Sequence, residues 1–274
     1  MIKYILSIFS FFILNKCIGQ TVIEEIFLPR EINETSGLEF FGNNFITHND
    51  SGGLPVLYEF NQKGKLLDKF EIKDCGENDD WEDITYDGEF IYVSNTGNNF
   101  GKRKNLSIII LNPKKKFKCL GSINIQYNSQ KSFDRRSKHP FDAESLASTS
   151  EELILFSKNR ESYSTELYFI PKTPGSYNLS SPKSLPVGSL ITGADYNESL
   201  NTIALVGYNS EGDQFLYTIN NFDSKNLNKI SFIRYILPIK NAQIEAIKII
   251  NKSTFWITSE DEGVGYPRLF KIKI

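Results

Sequence analysis

A short residue pattern that returns five times along the chain constrains the fold more than any other feature of the sequence. In three copies a hydrophobic residue is followed by a glutamate, a small or acidic residue and a second hydrophobic residue, as in Trp81-Glu82-Asp83-Ile84. In the other two copies a hydroxyl replaces the carboxylate and a glycine follows it, as in Thr35-Ser36-Gly37-Leu38. The key positions of the five copies are Ser36, Glu82, Glu144, Thr192 and Glu245.

The spacing of the copies predicts a repeat architecture. The intervals between key positions are 46, 62, 48 and 53 residues, a period typical of the blades of a propeller. Three or four short segments rich in β-branched and aromatic residues follow each key position, which favours strands. Turn residues such as those of Asp87-Gly88 separate these segments. We therefore predict an all-β fold, a five-bladed β-propeller of four-stranded antiparallel blades.

The two ends of the chain indicate how the ring closes. The last repeat is one strand short, whereas a strand-like segment at residues 22–28 precedes the first repeat. We predict that this N-terminal strand completes the last blade, because the pairing removes an exposed sheet edge. The longest interval contains a segment without a strand pattern, residues 128–141. We interpret it as a surface insertion, and a six-bladed ring is the alternative.

The first nineteen residues differ from the rest of the chain. Lys3 gives a positive start, residues 5–14 form an apolar run, and small residues end at Gly19. This run is too short to span a bilayer and is typical of a secretory signal. We predict a signal peptide over residues 1–19 and a single exported domain, secreted or periplasmic, over residues 20–274, with no transmembrane segment. An outer-membrane lipoprotein anchored through Cys17 is the alternative, although Lys16 fits that motif poorly.

Charge and cysteine content restrict the partners and the compartment. The chain has 31 basic and 33 acidic side chains and short charge runs, so we expect no nucleic-acid partner. Cys75 and Cys119 could form a disulfide in an oxidising compartment. The predicted strands place one near the inner edge and the other on the outermost strand of one blade. Because bridged Cα atoms must lie within about 7 Å of each other, the pairing stays open at this stage.

The innermost strand of each blade lines the channel of a propeller, so the five key side chains should face one another near one mouth. Three glutamates in a narrow channel cannot all stay ionised without a counter-charge. Carboxylate and hydroxyl oxygens without His or Cys suit calcium. We predict a Ca²⁺ ion held by Ser36, Glu82, Glu144, Thr192 and Glu245. The alternative is that these residues cap strand ends or form hydrogen bonds between blades.

The turns between the second and third strands should lie at the same mouth as the key positions. All five turns are polar, and the ligand-binding candidates within them are His48, Asn49, Asp50, Asn98, Asn99, Lys158 and Arg160. Asp50, Asn99 and Lys158 are the candidates for a catalytic role. The only histidines are His48 and His139, which gives a Ser-His-Asp triad little support.

Together these motifs resemble a known family. The segments Ser36-Gly37-Leu38, Asn49-Asp50, Asp80-Trp81-Glu82 and Asp142-Ala143-Glu144 are similar to those of the calcium-activated nucleotidase (soluble apyrase) family. The Ser-Gly-Leu and Asp-x-Glu patterns also resemble the SdiA-regulated (YjiK-like) bacterial propellers. The first resemblance implies a five-bladed propeller with one calcium ion on a Ser, Glu, Glu, Ser, Glu ring, here with Thr192 for the second serine. For the family's phosphate-gripping basic residues, the candidates here are His48, Lys102, Arg103, Lys158 and Arg160.

Two functions of different class follow from these observations. One is an exported calcium-binding module that captures a small-molecule, glycan or phosphate-bearing ligand at the mouth of its channel. The other is a calcium-dependent hydrolase of phosphoanhydrides such as nucleotides, in which the metal polarises the phosphoryl oxygens. The sequence alone leaves open whether the protein is an enzyme.

Overall fold

The computed structural model describes residues 19–50, 52–261 and 265–274, which form an all-β fold of five sheets. One strand, β1 (Thr21–Phe27), precedes the first blade. Blade 1 contains β2 (Thr35–Phe41), β3 (Asn44–Asn49), β4 (Val56–Phe60) and β5 (Leu66–Glu71). Blade 2 contains β6 (Asp83–Tyr86), β7 (Ile91–Asn95), β8 (Ser107–Asn112) and β9 (Lys118–Tyr127).

The remaining three blades follow in chain order. Blade 3 contains β10 (Ala143–Ser148), β11 (Glu152–Ser157), β12 (Thr165–Pro171) and, after the separate strand β13 (Gly175–Leu179), β14 (Lys183–Leu185). Blade 4 contains β15 (Leu190–Asn197), β16 (Thr202–Tyr208), β17 (Gln214–Asn220) and β18 (Ile233–Leu237). Blade 5 contains β19 (Ile244–Asn251), β20 (Thr254–Ser259) and β21 (Arg268–Lys273). Helix within the described ranges is limited to short 3₁₀ turns at Arg30–Ile32, Pro113–Lys115 and Leu227–Lys229.

The predicted five-bladed ring and its closure are confirmed. Strand β1 pairs antiparallel with β21, from Thr21 opposite Lys273 to Phe27 opposite Arg268, and so completes blade 5. The innermost strands β2, β6, β10, β15 and β19 each contact the next, and β19 contacts β2. No strand lies between Asn128 and Asp142, so the long second interval is an insertion and not a sixth blade.

Apolar packing between adjacent blades holds the ring together. Each core cluster joins two neighbouring blades, as where Phe45 of blade 1 meets Trp256 and Leu269 of blade 5. The aromatic rings of Phe45 and Trp256 contact edge to face, with centroids 5.5 Å apart. Fully burying an aliphatic or phenylalanine side chain contributes about 1.5–3 kcal/mol, so these contacts dominate the stability of the ring.

The outer edge of blade 2 differs from the predicted four-stranded pattern. Strand β13 pairs parallel with β9, from Gly175 opposite Ile123 to Leu179 opposite Tyr127. The pairing adds a fifth strand to this sheet and buries Leu179 against the core of blades 2 and 3. A strand supplied by the connection after β12 therefore covers an edge that would otherwise be open to pairing with other chains.

A disulfide joins Cys75 and Cys119, whose Cα atoms are 5.8 Å apart. Cys75 lies in the connection between β5 and β6, and Cys119 lies in β9. The connection crosses the outer part of blade 2, beside Phe70 and Phe117, before it reaches the innermost strand. The sequence had placed Cys75 near the inner edge of the blade, too far from Cys119 for a secure prediction of the disulfide. The path of the connection instead brings Cys75 to the outer strand β9, where the disulfide forms.

The predicted signal peptide, with Cys17, lies outside the described residues except for Gly19. Within the part of the chain that is described, we find no helix with the length and apolar character needed to cross a membrane.

Candidate functional site at the mouth of the channel

The first residues of every innermost strand pair with the end of the second strand, as where Ala143 lies opposite Ser157. The key positions and the turns after the second strands therefore share one end of the channel, which we call the mouth. In blades 1, 3, 4 and 5 the register of the pairing between the first and second strands shifts at the key position. The shift lies between Ser36 and Glu39 in blade 1, and at Glu144, Thr192 and Glu245 in the other three. A β-bulge of this kind leaves one residue out of the ladder and re-aims its side chain.

The two hydroxyl residues tie adjacent blades together. Ser36 Oγ donates a hydrogen bond to the carbonyl oxygen of Glu82 at 2.5 Å. Thr192 Oγ1 donates one to the carbonyl oxygen of Ile244 at 2.6 Å. Hydrogen bonds between blades were the alternative to metal binding that the sequence left open for the key positions. Each hydroxyl keeps lone pairs with which it can also accept a bond or bind a cation.

The glycine after each hydroxyl allows this close approach. A Cβ on Gly37 would lie 2.7 Å from the backbone nitrogen of Ile84 in blade 2, and the φ of Gly37 is +70°. A Cβ on Gly193 would lie 2.7 Å from the carbonyl oxygen of Glu245 in blade 5. The Ser-Gly and Thr-Gly copies of the repeat are therefore places where two innermost strands touch.

Three carboxylates, Asp50, Asp80 and Glu82, form a cluster in which one oxygen from each lies within 4.8 Å of the others. Asp50 comes from the turn after β3, whereas Asp80 and Glu82 precede β6 at a spacing of two residues. Glu82 is 3% exposed, and none of the described residues donates a hydrogen bond to its carboxylate. Asp50 Oδ1 is buried with no partner in the described ranges. This cluster has the geometry and the unused oxygens of a cation site.

The electrostatics of the cluster favour a cation or a proton. Burial raises the pKa of Asp50 to about 8, and the neighbouring carboxylate of Asp80 adds to the effect. Burial also raises the pKa of Asp80 to about 6. The pKa of Glu82 lies well above its ordinary value, first because of burial and then because of the nearby carboxylates of Glu144 and Asp50. Without a bound cation, the raised pKa of Asp50 favours its protonated form at neutral pH.

Glu144, by contrast, already has cationic partners. The ammonium group of Lys158 forms an ion pair with it and lies 5.2 Å from the ring centroid of Tyr208. Arg160 Nη2 lies 3.2 Å from Glu144 Oε1, and Arg160 Nε lies 2.6 Å from Asp142 Oδ2. Burial raises the pKa of Glu144 to about 7, and Lys158 opposes that rise.

The fifth key residue, Glu245, lies beside a further carboxylate, that of the half-buried Glu260. Gln243 Nε2 donates hydrogen bonds to Glu245 Oε1 at 2.5 Å and to Glu260 Oε2 at 3.2 Å. Burial raises the pKa of Glu245 well above its ordinary value, and burial with the nearby Asp50 raises that of Glu260 to about 8.

The mouth therefore carries an excess of negative charge. Among the described residues discussed above, three buried or half-buried cations lie there, Arg103, Lys158 and Arg160. Seven of the carboxylates discussed above are buried or half-buried there, those of Asp50, Asp80, Glu82, Asp142, Glu144, Glu245 and Glu260. Three cations against seven carboxylates leave an excess of four negative charges when all are ionised, enough for a divalent cation to be favoured.

The structure brings together four of the predicted ligand-binding residues. Asp50, Lys158 and Arg160 lie at the mouth, and Arg160 also donates a hydrogen bond to the side-chain oxygen of Asn99. The exposed Asn99 lies at the rim. These four side chains surround the acidic centre and could contact a ligand there.

The other three predicted ligand-binding residues serve the loops. His48 is fully buried edge to face against Trp81, and burial lowers its pKa to about 4. Asn49 Nδ2 donates to the carbonyl oxygen of Glu31 at 3.0 Å. Asn98 Nδ2 donates to the carbonyl oxygen of Phe141, and its side-chain oxygen accepts from the backbone of Arg103.

The sequence reasoning did not assign a role to several residues of the site, namely Asp80, Asp142, Tyr208, Gln243 and Glu260. Asp80, Asp142 and Gln243 each precede a key glutamate by two residues. Residues two positions apart point to the same face of an extended chain, so their spacing from the key glutamates could have predicted that they belong to the site. Glu260 and Tyr208 carry no such signal.

A second set of charged side chains lies deeper in the channel, and we call it the lower channel. Lys248 Nζ lies 2.6 Å from Glu39 Oε1 and 2.7 Å from Asp195 Oδ1. These three residues each follow a key position by three residues and come from blades 5, 1 and 4. Asp83 Oδ2 accepts backbone N–H groups from blades 3 and 4 at 2.8 and 3.1 Å.

A cleft of about 790 Å³ opens beside the mouth, between the turn after β16 and the connection that leads to β19. Its lining comprises residues 208–214 and 240–243, most of which are polar residue types. Tyr208 and Gln243 belong to both the cleft and the mouth, so the cleft adjoins the site beside Glu245.

Comparisons with known proteins show no family. No protein-family model matches the sequence, and no curated protein matches it significantly. The fold is similar to hydrazine synthase from Kuenenia stuttgartiensis, at 11% identity over 85% of this chain and 79% of that chain, with a TM-score of 0.46. It is also similar to the WD40 domain of Pan2 from Neurospora crassa, at 9% identity over 90% and 77% of the two chains, with a TM-score of 0.43. These similarities carry no argument about what the protein binds.

Proposed function

We propose that this protein is an exported binding module that holds a calcium ion at the mouth of its channel and captures a ligand beside it. The observation that carries the proposal is the cluster of Asp50, Asp80 and Glu82, with oxygens within 4.8 Å of one another. A glutamate as buried as Glu82, without a hydrogen-bond donor among the described residues, calls for a counter-charge.

The chemistry of the donors supports calcium. The mouth offers carboxylate and hydroxyl oxygens, and its donor set contains no Cys and no exposed His, so it suits a hard cation. We keep the ring of Ser36, Glu82, Glu144, Thr192 and Glu245 as the proposed ligand set and add Asp50 and Asp80. Because Lys158 already neutralises Glu144, we expect the ion to lie on the Glu82 side.

The surroundings of the cluster support a ligand with a polar or anionic group. The charge of Lys158 acts on both Asp50 and Asp80, that of Arg160 acts on Asp80, and Asn99 extends the site to the rim. The adjoining cleft of about 790 Å³ has the volume of a small-molecule site. A carboxylate, phosphate or glycan hydroxyl could contact both the cation and these basic groups.

The disulfide supports export. Disulfides persist in oxidising compartments outside the cytosol, and the Cys75–Cys119 bridge joins residues 44 apart in the chain. Together with the predicted signal peptide, this bridge favours a secreted or periplasmic protein.

Calorimetry with calcium tests the proposal. We expect one tight site and a higher melting temperature with calcium than with chelator, both lost in Glu82→Gln and Asp80→Asn. Glu89→Gln is the matched control, because Glu89 is exposed in the turn at the other end of blade 2. Equal melting temperatures of the wild type with calcium and with chelator would remove the calcium site.

Phosphoanhydride hydrolysis is the second candidate, favoured by the position of Lys158 and Arg160 beside the acidic cluster. A screen for phosphate release from nucleoside di- and triphosphates, with calcium and then with chelator, separates the two functions. Calcium-dependent release that Asp50→Ala and Asn99→Ala abolish would favour the hydrolase. Under the binding proposal we expect no release. Asn99→Ala should then weaken ligand capture while keeping the melting temperature, whereas Asp50→Ala should weaken ligand capture and also reduce the calcium-induced rise in melting temperature.

A further inference from the structure

Two loops beside the mouth form a strongly basic surface, which we call the basic lobe. It consists of the turn at residues 99–104 and the part of the insertion at residues 130–139. Gln130 Nε2 donates a hydrogen bond to the carbonyl oxygen of Gly101 at 2.7 Å, and the backbone N–H of Arg136 donates to that of Phe100 at 3.0 Å. The two loops are therefore packed together.

The lobe concentrates positive charge in a chain whose net charge is −2. It contains a single acidic residue, Asp134, and seven basic ones, Lys102, Arg103, Lys104, Lys131, Arg135, Arg136 and Lys138. Arg103 lies near Asp79 and Asp80. Across the described ranges, the other six basic side chains form no ion pair, and all six are exposed. Their charge is free to act on a partner.

Aromatic rings hold three of these cations in place without neutralising them. Arg135 lies 3.9 Å from the ring centroid of Phe100, and Lys104 lies 4.9 Å from that of Phe133. Arg136 lies 5.5 Å from the ring centroid of Phe141. Such cation–π contacts fix the position of a charge while leaving its sign exposed. A surface of ordered, unpaired cations is organised for an anionic partner.

We propose that the basic lobe docks an anionic polysaccharide. Phe133 is half-buried, Phe141 is buried, and Arg135 covers one face of the exposed Phe100. The lobe therefore offers little free aromatic surface for stacking on the bases of a single-stranded nucleic acid or for insertion into a bilayer interface. What the lobe offers is spaced positive charge, which fits a flexible chain that carries a carboxylate or sulfate on each sugar. Arg160, which contacts Asn99 of the lobe, links this surface to the mouth.

The docking surface goes beyond the proposed function and does not require calcium. The charges of the lobe attract a polyanion whether or not the acidic cluster holds a cation. The binding experiment therefore includes chelator throughout. Its result then tests the docking surface even if the proposed calcium site proves wrong.

The test measures binding of polygalacturonate, with uncharged dextran as the reference polymer. We expect binding of polygalacturonate alone, and loss of that binding as salt rises from about 0.1 to about 1 M, because the Debye length falls from about 10 Å to about 3 Å. Neutralising the lobe with Lys102→Gln, Arg135→Gln and Lys138→Gln together should weaken binding at least tenfold.

The matched control removes the same number of charges elsewhere in blade 2. Lys114→Gln, Lys115→Gln and Lys116→Gln change an exposed turn that follows β8 at the end opposite the mouth, and we expect wild-type binding. Absence of binding, or an equal loss in both triple variants, would overturn the docking surface. Equal or tighter binding of anionic lipid vesicles or single-stranded DNA would overturn its assignment to a polysaccharide.

Discussion

Replacing Lys248 with methionine should strongly destabilise the protein, because this one ammonium group serves two buried carboxylates. Its Nζ lies 2.6 Å from Glu39 and 2.7 Å from Asp195, and the side chains of all three residues are at most 13% exposed. Lys248→Met keeps most of the aliphatic volume but leaves both carboxylates without their cation. Removing one partner of a buried ion pair costs about 3–5 kcal/mol.

That loss is a large part of the free energy of unfolding of a domain, which is about 5–15 kcal/mol. For a domain of this size each kcal/mol lowers the melting temperature by about 2–4 °C, so we expect a decrease of about 6–20 °C. Lys271→Met is the matched control, since Lys271 pairs with the exposed Glu24 at 3.1 Å. A surface pair of that kind contributes about 0–1 kcal/mol.

The pH dependence identifies the cause of the loss. Burial raises the pKa of Glu39, whereas Lys248 opposes the rise, so the pKa of Glu39 should be higher still in Lys248→Met. A carboxyl whose pKa is raised in the folded state destabilises the fold increasingly as pH rises from its unfolded-state pKa to its folded-state pKa, and it has no effect once it is protonated in both states. The gap in urea-unfolding free energy between wild type and variant should therefore narrow as pH falls from about 7 to about 4.

Two outcomes would refute this reasoning. A loss below about 1 kcal/mol, no greater than a surface pair produces, would mean that the lower channel is solvated well enough to carry two unpaired carboxylates. A loss that stays constant with pH would assign the effect to packing and not to charge. A fully neutral variant with Glu39→Gln, Asp195→Asn and Lys248→Met should recover part of the stability, because it buries no unpaired charge.

Three further predictions follow from the site and the disulfide. With chelator, the melting temperature should fall as pH rises from about 4 to about 8, because the folded state keeps Asp50 protonated where the unfolded state releases the proton. Calcium should remove this pH dependence. A melting temperature that does not change with pH in chelator would contradict the raised pKa of Asp50. The double variant Cys75→Ser, Cys119→Ser should lower the free energy of urea unfolding by up to about 4 kcal/mol, the entropic value for a loop of this length. Reducing the disulfide of the wild type should lower it by the same amount if the lost bond is the cause. Gly97→Ala should abolish the calcium-induced rise in melting temperature, because the added Cβ would overlap the carboxylates of Asp80 and Glu82; an unchanged rise would place the ion elsewhere.

The ring could be predicted from the sequence because its repeats are local and periodic. The key positions, the turn residues and the unpaired segment at residues 22–28 each act within one blade or at the ends of the chain. Strand β13 escaped prediction because it is short and pairs in parallel with β9, a strand of another blade about fifty residues away in the chain. A pairing between blades leaves no period in the sequence.

The site could be predicted only in outline. The five key positions lie together at one mouth, but the strand bulges and the bonds of Ser36 and Thr192 to the next blade depend on packing that a repeat pattern does not encode. The pairing of Lys158 with Glu144 could have been inferred, since both flank the same antiparallel strand pair. The contact between Arg160 and Asn99 crosses from one blade to the next, and no pattern within a blade predicts it.

The closure of blade 5 by β1 also determines when the ring can form. Thr21 lies opposite Lys273, so the pairing that closes the ring joins the first and the last strands that the structure describes. A ribosome releases β1 long before β21, and the entropy of closing so long a loop delays such non-local pairing. The nascent chain therefore stays an open row of blades until β21 has been made.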